Sequence, residues 1–72
     1  FMQNNILGTR LRECRKDKKL SIKEVAQIIN LSTMALNHYE WGDREPPFDI
    51  FVKLCDLYET SADYLIGRTD IF

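Results

Sequence analysis

The chain has 72 residues, 44% of them hydrophobic and 29% charged, with a formal net charge of −1. That is one domain near the lower size limit for a self-sufficient core, with little room for a closed catalytic pocket and no apolar stretch of membrane-spanning length. The near-neutral total argues against indiscriminate affinity for nucleic acid, but the charge is uneven: residues 1–20 carry six basic and two acidic side chains, residues 21–72 four and nine.

Phe1 to Asn5 show neither a basic region nor a long apolar run, so no signal peptide is expected and the cytoplasm (or a nucleus) is the default compartment. Leu7, Leu11 and Cys14 then repeat at helical spacing and predict a first helix ending near Lys18 or Lys19. Basic residues at that end suit the helix dipole. Arg10, Arg12, Arg15, Lys16, Lys18 and Lys19 form its basic set, which either steers a polyanion or is simply a solvated face.

Ser21 followed three residues later by Glu24 is a capping box. It opens a second helix to about Ile29, with Val25, Ala26 and Ile29 turned inward. Asn30 tolerates the left-handed conformation that closes a helix. Ser32 caps a third helix running to Tyr39 or Glu40, with Leu36 and Tyr39 pointing inward and Gly42 as its stop. Asp43 to Pro47 form a polar loop punctuated by proline. A fourth helix spans roughly Phe48 to Tyr58, with Phe48, Phe51, Leu54, Cys55 and Tyr58 along one face. Thr60 or Ser61 caps a short last helix, with Ala62 and Leu65 packed and Gly67 as its stop. Thr69–Phe72 reads as a frayed end or the start of something longer. No strand, linker or internal repeat is visible, nor any glycine-rich phosphate loop or catalytic constellation. Cys14 and Cys55 fall at apolar helical positions and read as buried thiols. With one histidine in the chain no zinc cluster is available, and neither metal nor cofactor is expected.

The run Leu20-Ser21-Ile22-Lys23-Glu24-Val25-Ala26, then Leu31-Ser32, Leu36, Tyr39-Glu40-Trp41-Gly42 and Arg44-Glu45-Pro46, resembles the Cro/repressor type of helix-turn-helix, the family of phage lambda-like repressors and many bacterial regulators. Ser61 to Gly67 resembles the family's last helix. The resemblance covers residues 7–67. It implies an all-α, compact five-helix domain over residues 1–72, helices 2 and 3 forming the helix-turn-helix, in a cytoplasmic protein of bacterial or phage origin. It also implies sequence-specific binding of double-stranded DNA, with the third helix in the major groove. The expected role is a repressor that occupies a palindromic operator as a homodimer, with a protein effector or an additional C-terminal domain as a further partner. Tyr64, Ile66, Ile71 and Phe72 could supply a dimer surface.

Carried over by position, Thr33, Met34, Asn37 and His38 are the candidate base readers. Asn37 offers an amide donor and acceptor, His38 a ring nitrogen, and Met34 a partner for a thymine methyl. The competing readings are a core position for Met34 and plain solvent exposure for Asn37 and His38. Ser21, Lys23, Ser32 and Arg44 are the candidate phosphate contacts, together with backbone amides at the starts of helices 2 and 3. Arg15 and Glu40 stand where the family often holds an arginine and a glutamate that pair across helices. Four positions depart from the pattern. Trp41 replaces a frequent asparagine or arginine, Asp43 a frequent lysine or arginine, and Asn30 and Glu59 frequent glycines. An acid at 43 is expected to repel phosphates. Two other readings compete: an antitoxin-like or accessory regulator whose main partner is a protein, supported by the acidic second half, and a small enzyme, for which the residues supply no site.

Overall fold

A computed structural model describes residues 5–72. The stretch read as lacking a signal peptide therefore lies, up to residue 4, outside the described residues. Five helices follow in chain order: α1 (Ile6–Asp17), α2 (Ile22–Ile29), α3 (Thr33–Trp41), α4 (Phe48–Tyr58) and α5 (Ala62–Leu65).

The helix boundaries follow from local chemistry. Ser21 is extended, its hydroxyl accepts from the Glu24 amide at 3.0 Å, and the Glu24 carboxylate accepts from the Ser21 amide at 2.8 Å. Two of the four otherwise unpaired donors at the start of α2 are thus satisfied. Ser32 caps α3 through Ala35, and Ser61 caps α5 through Tyr64, each at 3.1 Å. Asn30 closes α2 with φ 61°, and Gly42 closes α3 with φ 92°. The end of α1 is less expected: Lys19, a residue with a Cβ, takes the left-handed conformation at φ 59°. The Leu20 amide there donates to the Arg15 carbonyl at 3.1 Å, which shares out the free carbonyls of the last turn.

One stripe from each helix makes the core. α1 supplies Leu7, Leu11 and Cys14; α2 supplies Val25, Ala26 and Ile29; α3 supplies Leu36 and Tyr39; α4 supplies Ile50, Leu54 and Tyr58; α5 supplies Leu65. Each fully buried leucine among them contributes roughly 1.5–3 kcal/mol relative to exposure. α1 packs most extensively on α3, and Gly8 permits it. A Cβ there would run into the Glu40 carbonyl and come within 2.9 Å of the Tyr39 carbonyl.

Three apolar expectations need correction. Phe48 is 80% exposed, while Ile50 is buried in its place. The first residue of α4 projects beyond the layer that covers the helix, so the inner face is set by Ile50, Leu54 and Tyr58. Ala62 is exposed, leaving Leu65 as the anchor of α5. Cys55 is half-buried and Cys14 buried; both thiols are free. Burial raises the pKa of each, that of Cys14 to about 11.

Candidate nucleic-acid interface

The interface is built on the α2–α3 pair. Val25 and Ala26 of α2 and Leu36 of α3 face the shared core, which leaves the opposite side of α3 outward. Thr33 and Met34 on that side are exposed, and Asn37 and His38 are half-buried. Met34 is 57% exposed and is no core residue. Ser21, Lys23 and Ser32 are exposed around the starts of the two helices, and Arg44 is exposed in the following loop. The two serine hydroxyls accept from helix amides and each keeps its own proton to donate elsewhere.

The end of α3 carries a small polar–aromatic group. His38 Nδ1 lies 3.0 Å from Asp43 Oδ2. Trp41, exposed, meets the imidazole in a T-shaped arrangement with centroids 5.5 Å apart and planes at 80°. The hydrogen bond to His38 holds the Asp43 carboxyl below its usual pKa.

Behind α3, Arg15 and Glu40 form a two-point pair. Nε donates to one carboxylate oxygen at 2.8 Å and Nη2 to the other at 3.1 Å, while Nη1 donates to the Leu20 carbonyl at 3.0 Å. The side chains are 13% and 5% exposed. Donating hydrogen bonds to the Glu40 carboxylate raises the Arg15 pKa. Burial pushes the Tyr58 phenol well up, and Glu40 adds to that through its charge. A fork-to-carboxylate contact fixes orientation as well as distance, so α3 is held against α1 with little rotational freedom. Asn5 adds a second tie, its amide donating to the Trp41 carbonyl at 3.0 Å.

Much of the basic character of α1 is consumed internally. Arg10 donates to the Tyr64 carbonyl at 2.6 Å, the Thr69 carbonyl at 2.7 Å and Asp70 at 2.8 Å, and lies over the Tyr64 ring at 4.2 Å. Thr69 and Asp70, in the stretch read from sequence as a frayed end or the start of something longer, are thereby fastened to α1. Lys18 pairs with Glu59 at 2.6 Å, which lowers the Glu59 pKa. Arg12, Lys16 and Lys19 remain exposed. Sequence reasoning missed Arg10, Asn5, Gly8 and the engagement of Asp43. Only Gly8 left a signal, as a glycine inside a helix that could mark close backbone approach. Among the described residues no group of three or more His, Cys, Asp or Glu side chains could hold a metal ion, and no helix is long and apolar enough to cross a membrane.

This architecture, a capped helix pair presenting the outer face of its second member, defines a helix-turn-helix module. The helix-turn-helix family model HTH_3 matches residues 11–65. The HTH-type transcriptional regulator ImmR of Bacillus subtilis (strain 168) is 38% identical over 65 residues, 90% of this chain and 51% of the relative. The HTH-type transcriptional regulator AnsR of the same organism is 36% identical over 59 residues, 82% of this chain and 51% of the relative. The SPbeta prophage-derived uncharacterized HTH-type transcriptional regulator YonR, also from B. subtilis, is 30% identical over 64 residues, 89% of this chain and 59% of the relative. The chain belongs to the helix-turn-helix family of DNA-binding transcriptional regulators. It spans about half the length of the curated relatives ImmR and AnsR.

Proposed function

We propose that this domain reads a short operator in double-stranded DNA and represses transcription by occupying it, as a homodimer on a palindromic site. Thr33, Met34, Asn37 and His38 contact base edges in the major groove. Ser21, Lys23, Ser32 and Arg44 fix the domain on the phosphates. The observation that carries this reading is the outward face of α3, backed by the buried Arg15–Glu40 pair that holds the helix in one orientation. Reading a groove needs both features: side chains free to reach the bases, and a helix that does not rotate when they do.

One helix reads only a few base pairs, so two half-sites multiply the discrimination. Ile66, Ile71 and Phe72, exposed around and beyond α5, offer apolar area for the dimer. The named relatives are bacterial, one of them prophage-derived by name, which supports a bacterial or phage-encoded cytoplasmic regulator.

The test is selection of bound sequences from random duplexes. A two-fold symmetric motif is expected, and Asn37→Ala should lose part of it while keeping its fold. Absence of any enrichment would overturn the reading and favour a protein partner instead.

A further inference from the structure

His38 is the one histidine of the chain, and its ring is held on two sides. Asp43 sits on Nδ1, reaching back across the turn at Gly42, and Trp41 meets the ring in the T-shaped contact. The side chain nonetheless stays partly open, 26% exposed, on the same helical face as Met34. A carboxylate only accepts, so the nitrogen facing it carries the hydrogen. A neutral imidazole has one N–H, and with that proton on Nδ1 the remaining nitrogen, Nε2, presents a bare lone pair. Asp43 is exposed, its hydrogen bond with His38 holds the carboxyl below the usual carboxylate range and Arg44 lies nearby, so it stays an acceptor at neutral pH.

We propose that Asp43 is a specificity-determining positioning residue: it holds His38 in the Nδ1–H tautomer, so that Nε2 accepts from a base amino group, adenine N6 or cytosine N4, in the major groove. The inference rests on the DNA-reading role proposed for α3. In that groove only adenine and cytosine present amino donors, whereas guanine and thymine present acceptors there. A lone pair on Nε2 is therefore repelled by guanine O6 and N7, by thymine O4 and by phosphate oxygens alike. The acid at position 43, read from sequence as a liability next to phosphates, becomes the group that sets the polarity of a base contact. Trp41 packs against the same ring and adds to the tie that Asp43 makes.

Two measurements test this. With a single histidine, long-range proton–nitrogen NMR at about pH 8, above the usual imidazole range, reports the tautomer without ambiguity and without DNA. The parent should show a protonated Nδ1 and a bare Nε2, and Asp43→Asn, whose amide can donate as well as accept, should shift the population toward Nε2–H. A parent dominated by Nε2–H overturns the proposal outright. The second measurement is selection from random duplexes at the same pH with the parent, Asp43→Asn and His38→Ala. The parent should prefer adenine or cytosine at one position of each half-site by about five- to tenfold, the low end for a base contact because Nε2 makes a single hydrogen bond. Asp43→Asn should admit guanine there and bring that preference to within about twofold. His38→Ala should lose it at the same position only, the rest of the motif being kept in both variants. Identical motifs from all three proteins would overturn the inference and leave operator binding standing. No motif from the parent would overturn operator binding and this inference with it.

Discussion

Arg10 and Arg15 stand five residues apart on α1, and each ties that helix to a distant part of the chain, yet their acceptors differ. Arg15 grips a carboxylate that is itself buried, with Glu40 only 5% exposed. Arg10 grips two neutral backbone carbonyls and an aromatic face, and the carboxylate it touches, that of Asp70, is 96% exposed. The first clasp balances a charge that has no other compensation. The second satisfies peptide groups, and its ion pair stands in water. What decides the importance of an arginine is thus the burial of its partner, since a stranded buried charge costs far more than a stranded exposed one.

Four measurements sharpen or break this contrast, and all can be followed by helix content in denaturant. The largest effect is expected from Glu40→Ala or Arg15→Ala, each of which leaves one buried charge alone, at about 3–5 kcal/mol. A domain of this size has little more than that to lose. Glu40→Ala should also weaken operator binding by displacing α3. The Arg15→Met, Glu40→Leu double variant should recover much of the loss, because a buried pair can be matched by apolar packing. A double-mutant cycle with near-zero coupling would remove the distinction between the two clasps. Next, Arg10→Ala should cost about 1–2 kcal/mol, since it removes charge-assisted hydrogen bonds from half-buried carbonyls, of which that of Tyr64 still accepts from the Gly67 amide, and should free the segment after α5.

Alkaline titration comes third and probes the surroundings of the Arg15 pair. Cys14 and Tyr58 have pKa values raised in the folded state by burial, Cys14 to about 11 from 9.0. Below pH 9 both states hold the thiol proton and nothing is lost. Between 9 and 11 the unfolded chain releases it while the folded one does not, so stability should fall as pH rises through that window, with Tyr58 extending the fall upward. A midpoint that stays flat from pH 8 to 11 would mean that this region admits water. The smallest effect is expected from Asp70→Asn, within about 0.5 kcal/mol, as for other exposed ion pairs. A larger loss would show that the exposed carboxylate, and not the carbonyls, anchors the second clasp.

The same contrast explains what was legible in the sequence. The caps at Ser21, Ser32 and Ser61 and the stops at Asn30, Gly42 and Gly67 were readable because their chemistry acts within four residues. The α-helical fold follows from these signals and the apolar stripes. Phe48 misled because a periodic stripe tells which way a residue faces, not whether another helix covers it. Juxtaposition of Arg15 with Glu40 could be expected only from the family pattern. The Arg10 clasp reaches residues 54 and 59 positions away through backbone carbonyls, which carry no residue identity for a sequence to display. In the interface, the outward residues of α3 were readable from helical phase, whereas the His38–Asp43 contact depends on how the chain folds back after Gly42.

Trp41 is the one tryptophan of the chain, and it stands exposed at the tip of α3 with an imidazole against it. Its fluorescence is accordingly a gauge of the proposed docking surface and a poor gauge of folding. Unfolding moves an indole from one aqueous setting to another, so the emission maximum changes little. Quenching responds instead to anything that covers the tip. An instrument tuned to that one emission would follow titrations of DNA in real time, with no label attached, while the melting of the domain passed nearly unseen.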